Sequence, residues 1–112
     1  MAVDIWVYRE TVPAVDCSDF EVEATDGEIG KVDASTFEVD ANAIVVDTGP
    51  LVFGRKVMIP VGAIERIDTD AKRVYVDRTK HELRDAPEYD PTGYAEQEYR
   101  IRLGQYYAPF YE

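Results

Sequence analysis

One cysteine and one histidine are all that this chain offers of the two residue types behind most nucleophilic and metal chemistry. With Cys17 alone no internal disulfide can form, and such sparing use of cysteine fits a reducing compartment. A serine or cysteine triad needs a histidine base. The one histidine, His81, falls in what reads as the first turn of a helix, where a structural role is the simpler account. Cys17 has no neighbour that would stabilise a thiolate, and one Cys with one His is too few soft ligands for an ordinary zinc site. No apolar run approaches the roughly 20 residues of a membrane span. Residues 1–10 also lack the basic flank of a signal peptide, since Arg9 follows the short apolar stretch. A cytoplasmic location without membrane insertion is the expectation.

Positive charge is scarce as well. Twelve basic residues face 23 acidic ones, a formal net charge of -11. Nucleic-acid affinity comes largely from Lys and Arg neutralising phosphates, so this field opposes binding to DNA, RNA or anionic lipid. The same charge maintains solubility. Motifs that hold ligands fail on inspection. Asp68-x-Asp70-x-Lys72 opens like a calcium loop, but Arg73 stands at the sixth position and Thr79 at the twelfth. Gly27-x-x-Gly30-Lys31 lacks the spacing and the Ser/Thr of a phosphate-cradling loop. Carboxylates are plentiful without forming a recognisable acid/base constellation. No cofactor is expected.

What is present is mostly strand. Hydrophobic residues make up 46% of the 112, enough for one core and one domain. Residues 3–8 are β-branched and aromatic and read as extended chain. Residues 20–25 alternate apolar and polar, Asp26-Gly27 supplies a tight turn, and Ile29 and Val32 continue on the return strand. Gly30 breaks that alternation and implies a bulge or a close backbone approach. Thr36-Phe37-Glu38-Val39 is a further extended run. Ala43-Ile44-Val45-Val46 is almost wholly apolar and belongs at the centre of the core. Asp47-Thr48-Gly49-Pro50 ends it. Val57, Ile59 and Val61 follow on one face, with Pro60 at an edge or kink, and Val74-Tyr75-Val76-Asp77 closes the set after a polar turn at 68–73.

The chemistry then turns helical. Thr79-Lys80-His81-Glu82 is a capping box for a short helix that Pro87 ends. Asp90-Pro91 opens a second helix, with Ala95, Tyr99, Leu103 and Tyr106 on one face and Gly104 as the stop signal. Glu96–Arg100 and Glu98–Arg102 have the favourable spacing for ion pairs. Short strands separated by turns at this spacing point to a small barrel or sandwich, and the aromatic tail, with Tyr106, Tyr107, Phe110 and Tyr111, has two readings: a cover over an open end of such a barrel, or an adhesive surface.

The run Val45-Val46-Asp47-Thr48-Gly49 through Phe53-Gly54-Arg55-Lys56-Val57-Met58-Ile59-Pro60 resembles a PRC-barrel domain. Asp26-Gly27-Glu28-Ile29-Gly30-Lys31-Val32-Asp33 before it, and Ala63-Ile64-Glu65-Arg66-Ile67 and Val74-Tyr75-Val76-Asp77 after it, fit the same pattern over residues 19–87. That family includes the cytoplasmic domain of the photosynthetic reaction-centre H subunit, the C-terminal half of a ribosome-maturation factor, and many stand-alone bacterial and archaeal proteins. The resemblance implies an all-β fold, a small antiparallel β-barrel used for docking or assembly, with no shared catalytic residues to carry over. Without a membrane helix or a preceding β-domain, a stand-alone member is the expectation.

The expected organisation is an extra strand and loop over 1–18, the barrel over 19–87, and a short C-terminal helical appendage with its tail over 88–112. The expected role is a non-enzymatic protein-interaction module, its partner another protein or a second copy in a C2 homodimer. The docking surface would combine Phe53, Arg55 and Lys56 with Tyr94, Tyr99, Leu103, Tyr106, Tyr107, Phe110 and Tyr111. The alternative is a regulator that binds a small ligand or anion at the barrel mouth through Arg55 and Lys56; the same Gly54-Arg55-Lys56 also reads as a solvated turn.

Overall fold

The computed structural model describes residues 5–12, 15–33, 43–49, 56–87 and 96–111. Six strands form one mixed sheet: β1 (Glu21–Ala24), β2 (Gly27–Val32), β3 (Ala43–Asp47), β4 (Lys56–Pro60), β5 (Ile64–Asp68) and β6 (Arg73–Val76), in the order β4-β3-β2-β1-β6-β5. The two edge strands, β4 and β5, are consecutive in the chain, joined only by the 3-10 turn Val61–Ala63. A flat sheet of six strands would hold its edges about 24 Å apart, at about 4.8 Å per neighbour. The four steps from Pro60 to Ile64 reach at most about 14 Å. The sheet must therefore curl until its edges nearly meet. The edges do not hydrogen-bond to each other, so the result is a half-barrel rather than the expected closed barrel. Nor is it wholly antiparallel, because β1 runs parallel to β6. That sense follows from the corner, which carries the chain from β4 into β5 without reversing it, so that β6 returns in the direction of β1.

Local sequence explains the strands. In β1, Val22 and Ala24 point into the core while Glu21 and Glu23 face out. In β2, Ile29 and Val32 are both buried although three residues apart, which simple alternation forbids. The ladder passes from Val22↔Gly30 to Glu23↔Glu28, so Ile29 is the extra residue of a bulge that resets the faces. The hairpin loop is Thr25-Asp26, one residue earlier than expected, with Gly27 (φ +139°) as the first residue of the return strand. A side chain on Gly27 would strike the Lys80 stem, and the Asp26 carboxylate accepts from the Lys80 N–H at 2.8 Å. β3 is buried from Ala43 to Val46, and edge strand β4 carries Pro60 at its end, where no ladder donor is needed.

The capping box at Thr79 and Glu82 is present in both directions and starts helix α1 (Lys80–Asp85), which packs Leu83 inward beside β4. Helix α2 (Glu96–Tyr107) runs on into a 3-10 turn, Ala108–Tyr111. Gly104 does not stop α2. It lies within the helix, facing the Trp6 indole at a distance where a Cβ would make ordinary van der Waals contact. Ile5–Glu10 form turns and bends instead of the added strand. The run Thr36–Val39 and the cap Asp90-Pro91 lie outside the described residues. Among the described residues no helix is long and apolar enough to cross a membrane.

Gly30 is the tightest point of the half-barrel, since a Cβ there would sit 2.1 Å from the Asp47 carbonyl oxygen. Backbone cannot yield as a flexible side chain does. Gly30→Ala is expected to cost on the order of 3 kcal/mol or more. Gly49 has φ +71° but open space around it, so Gly49→Ala should cost only about 1 kcal/mol. Urea unfolding of the two variants side by side checks the contrast.

Candidate functional site

The corner that joins the sheet edges is buried, so its backbone polar groups need partners inside the protein. Those partners come from the N-terminal segment and from the end of β6. The Gly62 N–H donates to the Ile5 carbonyl (2.8 Å), and the Gly62 carbonyl accepts from Arg9 Nε (3.0 Å). The Ala63 carbonyl accepts from the Asp77 N–H (3.0 Å). Asp77 is the hub of this lock. One carboxylate oxygen pairs with Arg9, and the other accepts from the Tyr111 hydroxyl at 2.6 Å. Arg78 lies against the same carboxylate and Glu82, with its guanidinium 4.6 Å from the Phe110 ring centroid and 5.2 Å from that of Tyr111.

The C-terminal elements are seated by tyrosines. Tyr99, Leu103 and Tyr107 form a buried stripe at four-residue spacing along α2. Three hydroxyls tether the unit to the body: Tyr99 to the Pro87 carbonyl (2.9 Å), Tyr106 to the Glu82 carbonyl (2.6 Å), and Tyr111 to Asp77. The Glu82 carbonyl is one of the four at the end of α1 that lack a helical partner, so Tyr106 satisfies a group that α1 cannot. Tyr106 packs edge-on against both Tyr107 and Phe110. The Tyr107 hydroxyl is the exception. It is fully buried and, among the described residues, has no hydrogen-bond partner.

The expected docking residues therefore divide. Tyr99, Leu103 and Tyr107 are packed into the core, and Tyr106, Phe110 and Tyr111 are half-buried against it. The geometry is that of a cover. Phe53, Arg55 and Tyr94 lie outside the described residues. Lys56 is exposed and ion-paired with Asp33. Cys17 is buried, with burial the main cause and Asp16 the next in pushing its thiol up to about 11. His81 is exposed and contacts Arg84 and Asp85 of its own helix.

A different surface is left open. Val7 and Ile101 are 56% and 55% exposed, the large apolar side chains among the described residues that stand out in water. Each follows in the chain one member of a stacked pair, Arg100 over the Trp6 ring at 4.8 Å, with Gly104 near the indole. Periodicity marked the inner stripe of α2 but left this outer flank unremarked, although Ile101 among polar neighbours was the available signal. Compared over its whole length, the chain matches no family model and no curated protein. The likeness to PRC-barrel domains thus rests on the short motifs quoted above and their order.

Two outcomes follow from the lock and the cover. Asp77→Ala strands Arg9, Arg78 and the Tyr111 hydroxyl, and should cost about 2 kcal/mol, lowering the melting temperature by roughly 10 °C. Tyr107→Phe removes an unpaired buried hydroxyl and should stabilise by about 1 kcal/mol in the same assay. The tyrosines also set an alkaline limit. Burial, and then the neighbouring phenols, hold the Tyr107 hydroxyl well above its ordinary value. Burial, and then Asp77, raise that of Tyr111. The native state keeps these protons after the unfolded chain has lost them. Their contribution is full below about pH 10, the ordinary phenol value, and is lost as pH rises from there through the native values. Stability measured from pH 8 to 11 should fall above about pH 10, and less steeply in Tyr107→Phe.

Proposed function

We propose that this chain is a non-enzymatic protein-interaction or assembly module of the PRC-barrel type, with the half-barrel as rigid scaffold and the flank formed by α2 and the N-terminal segment as docking face. The observation that carries the proposal is the pair of exposed apolar side chains, Val7 and Ile101, beside the Trp6–Arg100 stack. Exposed apolar groups next to an aromatic–arginine pair are the composition of an interface centre, where Trp and Arg are enriched. Tyr99, Leu103 and Tyr107 are committed to the core, so the outer side of α2 is the part free to meet a partner. The anion-binding alternative draws no support from Lys56, whose charge is offset by Asp33.

Deleting the C-terminal helix would be a poor test, because it removes three buried side chains together with the surface. The double variant Val7→Glu/Ile101→Glu alters only exposed positions. Tagged wild type and double variant would be used for quantitative capture from a lysate of the source cells, with each captured protein then titrated against both. Burying the two side chains contributes about 1.5–3 kcal/mol each, so affinity for a partner at this face should fall at least ten-fold while the melting temperature is unchanged. Equal binding by both forms would overturn the assignment of the face.

A further inference from the structure

The outer side of α2 carries Glu98, Ile101, Arg102 and Gln105, all exposed, at positions i, i+3, i+4 and i+7. This is the spacing of a helix-packing stripe, and it lies away from the stripe that the core uses. Glu98 and Arg102 have the separation that favours an ion pair within one helix, yet they form none. The other described arginines are all engaged inside the chain. Arg9, Arg66, Arg73, Arg78 and Arg84 pair with carboxylates, and Arg100 stacks on Trp6. Among the described residues Arg102 is the one arginine with no partner.

We propose that the occupant of this face is a second copy of the chain, in an antiparallel pairing of α2 with α2 about a twofold axis. This rests on the interaction-module reading above and names its partner. The sequence of the stripe is self-complementary. With the axis midway between Ile101 and Arg102, Glu98 comes level with Gln105 of the other copy, and Ile101 lies against the aliphatic stem of the other copy's Arg102. The Arg102 guanidinium then reaches Glu98, one turn away at about 5 Å along the helix. Symmetry makes every such contact twice. An acidic partner of another kind would satisfy Arg102 but leave Glu98 facing like charge; a basic one would do the reverse. Only a partner with both signs in antiparallel order meets both, and the chain's own α2 is such a partner.

One flank of a twelve-residue helix falls short of the roughly 800 Å² per partner that stable dimers bury, and each copy carries a net charge of -11. Association should therefore be weak, in the micromolar to millimolar range. It should be clearest near 0.15 M salt, where a screening length of about 8 Å damps the long-range repulsion more than contact pairs. Sedimentation equilibrium over that concentration range is the test. Wild type should show a concentration-dependent monomer–dimer equilibrium. Ile101→Asp should weaken it at least about ten-fold. Glu98→Arg and Arg102→Glu should each weaken it similarly, whereas the double exchange should restore it. Mixed together, the two single variants should form a heterodimer, since one presents only positive and the other only negative charge. A monomer at every concentration, or a dimer indifferent to these exchanges, overturns the proposal. If wild type is monomeric while the Val7/Ile101 variant still loses a different captured protein, the docking face stands and the self-pairing falls.

Discussion

The half-barrel depends on one constraint, the three-residue link between the strands at its two edges. Val61–Ala63 is too short to cross a flat sheet of six strands, so forming the β4-to-β5 connection and curling the sheet are one event. Everything else follows from making that curl affordable. The bulge at Ile29 increases local twist, and Gly30 lets the backbone of Asp47 and Thr48 approach where any side chain would collide. The first strand meets the last in parallel, an arrangement that needs a long crossover, here the rest of the sheet itself.

A curled sheet with a buried corner creates a polar problem. Gly62 and Ala63 take their carbonyls and amides out of water, and β4 and β5 do not pair to absorb them. The N-terminal segment answers with the Ile5 carbonyl and the Arg9 side chain, and the end of β6 answers with the Asp77 amide. Arg9 then needs a counter-charge, which Asp77 supplies, and the spare oxygen of Asp77 is taken by Tyr111. The segments before β1 and after α2 are thus tied to the middle of the sheet through a few half-buried groups. The cost shows at Tyr107, whose ring fills the core while its hydroxyl finds no partner.

Much of this was legible in the sequence wherever a pattern is local. The alternation of residues 20–25, the glycine break at Gly30, the apolar run at 43–46 and the Thr79/Glu82 box each have a short-range cause, and each appears in the structure. What the sequence hid is non-local. Nothing around Val22 or Val74 states that their strands pair in parallel, and the open seam between β4 and β5 has no motif. Gly104 misled because a glycine late in a helix usually signals its end, whereas here the helix runs on through it to Tyr107. The aromatic tail left two readings open for a related reason. Tyrosine suits an interface and a wet-edged core equally well, and the carbonyls of Glu82 and Pro87 that seat Tyr106 and Tyr99 are revealed by no local pattern.

The same helix carries apolar side chains on two sides, and its weak overall amphipathicity is the consequence. Tyr99, Leu103 and Tyr107 give it an inner stripe in which two of three residues are phenols, so hydropathy undervalues it as a core face. Ile101 on the outside blurs the contrast further. A helix whose only task was to close the half-barrel would gain solubility from a charged residue at position 101, in a chain that otherwise places acids freely on its surface. An isoleucine there, flanked by an opposite-charge pair that does not close on itself, removes that gain without adding to the core. The inner stripe explains why the helix is present, and the outer one adds nothing to the core, which is what the proposed docking face accounts for.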